Sequence, residues 1–250
     1  MAVRNLLITG ASSGLGAALA RVYAEEGARM ILWGRDAQRL NATAMECRER
    51  GALVEAESFD LCDIDHMVAR IRFHDEQTPI DLAFLNAGLG GEVPKGDVAE
   101  SIERSHQMVG ANFTAPVVAA TALAQVMGNR GCGHIVLVGS LGEYFPLPMA
   151  PTYSGTKTGL AIFAEALWLR QKKRGVAVTL VSPGFVDTPM SGSLTSPKPF
   201  MISADDAARR IAKKITRRPR RIAFPWPLAF ICAAVRFLPR SIIAAVLRRV

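Results

Sequence analysis

Short apolar, β-branched runs recur along the chain near 4–9, 28–33, 53–59, 81–86, 134–139, 176–181 and 221–224. Longer stretches of helical periodicity separate them, near 15–26, 36–50, 64–76, 98–128, 152–173 and 204–216. Strand-length runs alternating with helices predict a parallel sheet with helices on both faces. Ile135-Val136-Leu137-Val138 is apolar at every position, as a strand covered on both sides requires. The pattern specifies an α/β fold, a doubly wound parallel seven-stranded sheet. One helix start is marked by its chemistry. Ser203 stands as N-cap with Asp206 three residues on, before an apolar stripe at Ala207, Ile211 and Ile215.

Two segments break the rhythm. Residues 184–202 are rich in Pro, Ser, Gly and Thr and carry Met190, Leu194, Phe200 and Met201. That is long for a loop in a compact domain and predicts a substrate lid. Residues 225–250 follow the last strand and read as an appendage, which sets a catalytic domain at 1–224 and an extension at 225–250.

Composition narrows the class. Of 250 residues, 50% are hydrophobic and 21% charged, enough to bury a full core and too apolar for a disordered chain. Unbroken apolar runs fall short of the ~18 residues that a membrane span needs, so no spanning segment is expected. Cys47, Cys62, Cys132 and Cys232 are scattered without metal or redox spacing. Reduced thiols, no metal site and a cytoplasmic protein are expected; the N-terminus lacks a signal-peptide pattern.

Charge changes the picture further. The net charge is +8, yet no acidic residue follows Asp206, and twelve of the 30 Lys and Arg lie between Arg209 and Val250. A mildly acidic body thus carries a basic tail, which suggests an anionic surface as partner.

Candidate chemistry sits at strand ends. Thr9-Gly10-Ala11-Ser12-Ser13-Gly14-Leu15-Gly16 follows an apolar strand and opens a helix. Glycines there permit close backbone approach to a pyrophosphate, with the helix N-terminus aimed at the anion. Ser12 and Ser13 add hydroxyl donors. The second strand ends at Gly34-Arg35-Asp36, beside the adenosine ribose of a dinucleotide. Arg35 favours a 2′-phosphate, hence NADP(H) over NAD(H), and Asp36 reads as a helix N-cap. Tyr153 and Lys157 lie one helical turn apart on one face, where the cation would favour the phenolate and lower the tyrosine pKa. Ser140 stands at the end of a buried strand, the sheet edge where ligands bind.

Together, Thr9-Gly10-x3-Gly14-x-Gly16, Asn86-Ala87-Gly88, Asn112, Ser140, Tyr153-x3-Lys157 and Pro183-Gly184 resemble the short-chain dehydrogenase/reductase family over roughly residues 4–224. The resemblance implies a Rossmann-type fold and roles residue by residue. Tyr153 would be the general acid or base, and Lys157 would bind the nicotinamide ribose and depress the Tyr153 pKa. Ser140 would polarise the substrate oxygen, and Asn112 would support a water-linked proton relay. Asp60 and Leu61 would lie at the adenine, and Asn86, Ala87 and Gly88 along the adenosine side. Pro183, Gly184, Val186 and Thr188 would sit near the nicotinamide. Leu85 departs from the family, where a second Asn is common before Ala-Gly.

An apolar pocket is expected from Glu143-Tyr144-Phe145-Pro146-Leu147-Pro148-Met149 with Phe185, Met190, Leu194 and Met201. Three readings stand for the tail: peripheral membrane contact, packing on a partner subunit, or closure over the site. The Arg-flanked apolar stretches 224–239 and 240–250, with Trp226, suit a helix in the membrane interface. Nucleic acid is not expected, because the basic stretch lacks interleaved aromatics. The expectation is an NADP(H)-dependent oxidoreductase of a ketone/secondary-alcohol pair with an apolar or lipid-like substrate, a homodimer or homotetramer. The alternatives are a non-catalytic NADP(H)-binding module and the same fold with epimerase or dehydratase chemistry.

Overall fold

The computed structural model describes residues 5–235. Its elements in chain order are β1 (Asn5–Thr9), α1 (Gly14–Tyr23), β2 (Arg29–Gly34), α2 (Ala37–Glu49), β3 (Leu53–Ser58), α3 (Ile64–Gln77) and β4 (Leu82–Leu85). Then come α4 (Ile102–Val109), α5 (Ala115–Arg130), β5 (Gly133–Val138), α6 (Pro151–Gln171), β6 (Val176–Pro183), β7 (Val186–Asp187), α7 (Pro189–Gly192), β8 (Ile202–Ser203), α8 (Ala204–Ile215), β9 (Arg221–Phe224) and α9 (Trp226–Val235). Seven parallel strands form one sheet in the order β3-β2-β1-β4-β5-β6-β9. All seven strands expected from the pattern are in it.

Alternation along each strand divides the core. Leu6, Ile8, Met30 and Leu32 pack with α1, α2 and α8 on one face. Leu7, Ile31, Trp33, Ile135 and Leu137 pack with α3, α5 and α6 on the other. Both faces being covered explains the uninterrupted apolar runs.

The helix expected over 98–128 differs in detail. It starts at Ile102, where Ser101 accepts a hydrogen bond from the Arg104 N–H at 3.1 Å. A π-helical segment, Gly110–Thr114, joins α4 to α5. The resulting rod, Ile102–Arg130, is among the described residues the one helix long and apolar enough to cross a membrane. Its Ala115, Ala119, Ala120, Leu123 and Met127 are instead buried in the domain core.

Residues 184–202 are not a structureless loop. β7 and β8 pair in parallel, closing the base of the segment, and α7 starts on a Thr188–Ser191 capping box. The extension is less detached than its sequence suggests: α9 packs over β9 and the turn after β5. The 240–250 stretch lies outside the described residues.

His134 on β5 is buried, and its ring faces Thr179 Oγ1 at 2.9 Å. Thr179 donates its own proton to the Pro219 carbonyl, so the imidazole Nε2–H is the donor to Thr179. Burial, with the Arg218 charge adding, pushes the imidazole down from 6.5 to about 4. The unfolded chain therefore takes up this proton first as pH falls. Stability is full above about pH 6.5 and is lost towards pH 4. Urea unfolding should show this group removing up to about 3 kcal/mol over that window. His134→Gln should shrink the fall, and an unchanged fall would refute the assignment.

Candidate active site

Strand order reverses between β1 and β4, so the loops leaving these strands part and open a cleft at the carboxyl edge. Two residues pin the split. Thr9 Oγ1 accepts from the N–H groups of Asn86 and Ala87 at 3.0 and 3.1 Å, and Asn86 Nδ2 donates to the Thr9 carbonyl at 3.1 Å. Gly10 takes a φ of +69°, and a Cβ there would lie 2.8 Å from Ala87 Cα. At Gly16 a Cβ would stand 2.1 Å from the Gly10 carbonyl oxygen. The loop is thus folded hard against its own helix. The Ser13 side chain makes no capping bond to α1. The first-turn N–H groups of a helix lack intrahelical partners and favour an anion.

The cleft deepens into one cavity of about 740 Å³, within the size range of ligand pockets. Gly10, Ser12, Ser13, Gly14 and Leu15 line one end, with Arg35, Asp60, Leu61, Asn86, Ala87 and Gly88 beside them. Ser140, Tyr153, Lys157, Pro183, Gly184, Val186 and Thr188 line the middle. Two expected site residues stand behind the wall rather than on it, Gly16 and Asn112. Arg39, one turn into α2, joins Arg35 at the rim and was not singled out from the sequence. Its signal was available, four residues after Arg35 on a helix start. Asp36 caps α2 through the Arg39 N–H at 3.0 Å and pairs with the Arg39 guanidinium at 3.3 Å. A glycine cradle at a helix N-terminus beside two arginines fits a dinucleotide bearing an extra phosphate.

α6 carries Tyr153 and Lys157. Its N-cap, Ala150, has no polar side chain, and Pro151 occupies the first turn. The Glu100 carboxylate does the capping from outside, accepting from the Thr152 N–H at 3.2 Å and from the Thr152 hydroxyl. Lys157 is buried, and its Nζ donates to the Val138 carbonyl at 3.0 Å. Burial pushes the ammonium down to about 8, with Glu143 opposing. Asn112, in the π-helical segment, is fully buried. Its amide accepts from the Leu89 N–H at 2.6 Å and donates to the Leu89 carbonyl at 2.8 Å. A Cβ on Gly88 would be 3.0 Å from Asn112 Oδ1 and 3.6 Å from Lys157 Nζ, so these three groups converge. Such π segments recur at functional sites.

The expected lowering of the Tyr153 pKa is corrected. Burial pushes the phenol above its ordinary 10, a Ser140 hydrogen bond opposes this, and Glu143 adds to it. Lys157 Nζ stands 5.8 Å from the phenol ring centroid and is committed to Val138, so in this state it does not lead.

Phe145, Leu147, Met149, Phe185, Met190 and Leu194 wall the rest of the cavity, as expected, whereas Glu143, Tyr144, Pro146 and Pro148 stay out of the wall and Met201 is exposed elsewhere. Leu228 and Cys232 of α9, four apart on one helical face, join that wall. Glu55, Glu57 and His74 form a cluster away from the cavity with ligand atoms within 4.8 Å of one another. Arg70 holds Glu57 at 2.8 Å and Arg29 holds Glu55 at 2.7 Å, so the cluster is an ion-pair network.

Strand topology, glycine cradle and the Ser140, Tyr153 and Lys157 side chains define a dinucleotide-fold oxidoreductase. The short chain dehydrogenase family model matches residues 4–199, and the chain belongs to that family. An "uncharacterized oxidoreductase" of Myxococcus xanthus is 34% identical over 250 residues, 100% of this chain and 98% of that relative. A "putative ketoacyl reductase" of Streptomyces coelicolor is 31% identical over 84% of this chain and 81% of its own length. Among solved structures, a short-chain dehydrogenase from Sphingobium yanoikuyae in complex with NADPH superposes with a TM-score of 0.83. The two are 28% identical, covering 96% of this chain and 95% of that one.

The segment 184–202 has its own anchor. Glu92 accepts from the Thr195 N–H at 2.9 Å, the Thr195 hydroxyl at 2.7 Å and the Ser196 hydroxyl. These bonds tie Thr195 and Ser196 to the stretch after β4 and, against burial, hold the Glu92 carboxyl below its usual range. Glu92→Ala should therefore leave the melting temperature within a few degrees while limited proteolysis within 184–202 accelerates several-fold. Unchanged cleavage would show that the anchor is idle.

Proposed function

We propose that the chain is an NADPH-dependent reductase of an apolar, lipid-like ketone, with oxidation of the secondary alcohol as the reverse reaction. The observation that carries the reading is a single cavity with an anion-binding cradle at one end and apolar walls at the other. Ser140, Tyr153 and Lys157 lie between. Arg35 and Arg39 support NADPH over NADH, because two guanidinium groups suit a 2′-phosphate and Asp36 is engaged in capping.

Bound NADPH supplies the hydride that the carbonyl carbon accepts. Tyr153 delivers the proton to the carbonyl oxygen, and the Ser140 hydroxyl hydrogen-bonds that same oxygen. Both contacts strengthen as negative charge grows there, which lowers the barrier. Lys157 holds its proton below about pH 8, so its ammonium is present near neutrality to favour the phenolate that Tyr153 leaves behind. The phenolate then regains a proton from solvent. Asn112 braces this arrangement through Leu89 and Thr156 rather than touching the cavity.

The test is coenzyme consumption against a series of ketones and 3-oxoacyl compounds of rising chain length. NADPH should exceed NADH, and rates should climb with chain length. Tyr153→Phe should lose a factor of about 10²–10³ or more in turnover while still quenching with NADPH. NADPH binding without turnover of any member would instead favour the non-catalytic module.

A second reading concerns α9. Its Trp226, Phe230 and Ile231 are exposed at 78%, 72% and 52%, while Leu228 and Cys232 face the cavity. Residues 236–250 follow with four arginines and no acid. We propose that this apolar face meets an anionic lipid surface, next to the route into the cavity. The protein should float with phosphatidylglycerol vesicles and not with phosphatidylcholine alone. Trp226→Ser with Phe230→Ser should reduce flotation severalfold, and equal flotation would refute it.

A further inference from the structure

We propose that Glu143, paired with Arg221, is a positioning residue for the reaction: its carboxylate fixes the turn bearing Ser140 and sets a negative charge beside Tyr153. The inference rests on the reading above. Glu143 belongs to the 3₁₀ turn Leu141–Glu143 that follows Ser140. Its side chain is only 2% exposed. The carboxylate joins the ends of three strands. It accepts from the Ser140 N–H at 3.4 Å beyond β5, from Ser182 Oγ at 3.0 Å on β6, and from Arg221 Nη1 on β9. Arg221 also donates to the Tyr144 hydroxyl at 2.8 Å. Thr158, next to Lys157, donates to the Glu143 carbonyl at 3.1 Å, tying the turn to α6. A Cβ on Gly139 would stand 2.7 Å from Glu143 Oε2, so the close seat requires glycine.

Stability does not account for this pair. Removing a carboxylate and a guanidinium from water is costly, and well-packed apolar groups usually serve a fold as well or better. What the pair supplies here is a fixed charge beside the reacting groups. The polar and charged groups facing it are Ser140, Ser182 and Arg221, then Tyr144, Tyr153 and Lys157; α9, which packs on the turn, has no charged residue over Trp226–Val235. Arg221 is 28% exposed, so solvent screens its charge more than that of the enclosed carboxylate. The carboxylate thus reaches the phenol less screened than the guanidinium does. That charge adds to burial in opposing loss of the Tyr153 proton, and on Lys157 it works against the burial that lowers the ammonium.

The experiment is the pH profile of kcat/KM for alcohol oxidation with saturating NADP⁺, in which Tyr153 must shed its proton. Glu143→Gln should move the ascending limb to lower pH by about one unit. Glu143→Asp keeps the charge and shortens the reach, and should lower turnover with the limb in place. The double variant Glu143→Gln/Arg221→Gln replaces the ion pair by neutral amides; should Glu143→Gln fail to fold, it carries a shift in the same direction, smaller because the opposing Arg221 charge goes too. A limb that stays in place in the folded neutral variants overturns the inference. That outcome with an inactive Tyr153→Phe sinks this inference alone, whereas an active Tyr153→Phe sinks the reading beneath it.

Discussion

The structure depends on the hydrogen bonds that hold β1 and β4 side by side while their following loops part. Thr9 and Asn86 make that junction with one hydroxyl and one carboxamide. Because the strand order reverses there, helices cover both faces and the central strands β1, β4 and β5 are buried on two sides. The parted loops open the ligand-sized cleft at the carboxyl edge, above the junction. Glycine loop, Arg35, Ser140 and the α6 pair all reach that edge from different elements, so one topological constraint gathers residues from across the chain.

At that edge the electrostatics are those of a dry floor. Lys157 and Glu143 exchange water for fixed partners, and each is pushed by burial towards its neutral form. The partners are backbone carbonyls, hydroxyls and one guanidinium, already in place before a substrate arrives. Preorganisation of this kind is what makes a few hydrogen bonds effective in a low-dielectric site. Anchoring from outside the reacting residues is equally plain. Glu100 caps the helix that carries Tyr153, and Asn112 clamps Leu89 behind Lys157.

What the sequence made legible was local. Strands appear as apolar runs, the glycine loop as spacing, and Tyr153 with Lys157 as a pair one turn apart. Ser203 and Asp36 were recognisable as caps because the bonded N–H lies three residues on. What escaped depends on partners far apart in the chain. Glu143 meets Arg221 across 78 positions and Glu92 meets Thr195 across 103. No periodicity encodes such contacts, and Glu143 looked like one more pocket residue. The π segment at 110–114 was hidden because its apolar pattern continues that of the helices on either side. The direction of the Tyr153 shift was misjudged because spacing alone cannot weigh burial against a cation that is bonded elsewhere. The tail read as an appendage because its own pattern does not reveal that Leu228 and Cys232 turn inward.

The cavity wall divides by the kind of backbone that builds it. The cradle and Ser140, Tyr153 and Lys157 stand on strand ends and on α6, a helix of 21 residues fixed at its start by Glu100. The remaining wall comes from 144–150, from 184–202 and from α9, mostly irregular chain on the surface. Substitutions and insertions are tolerated far better in such segments than in packed strands. Descendants of this chain can therefore change what they accept by altering three surface segments while the reacting groups stay where they are. The same division lets a gene duplicate drift towards a new substrate without passing through an unfolded or inactive intermediate.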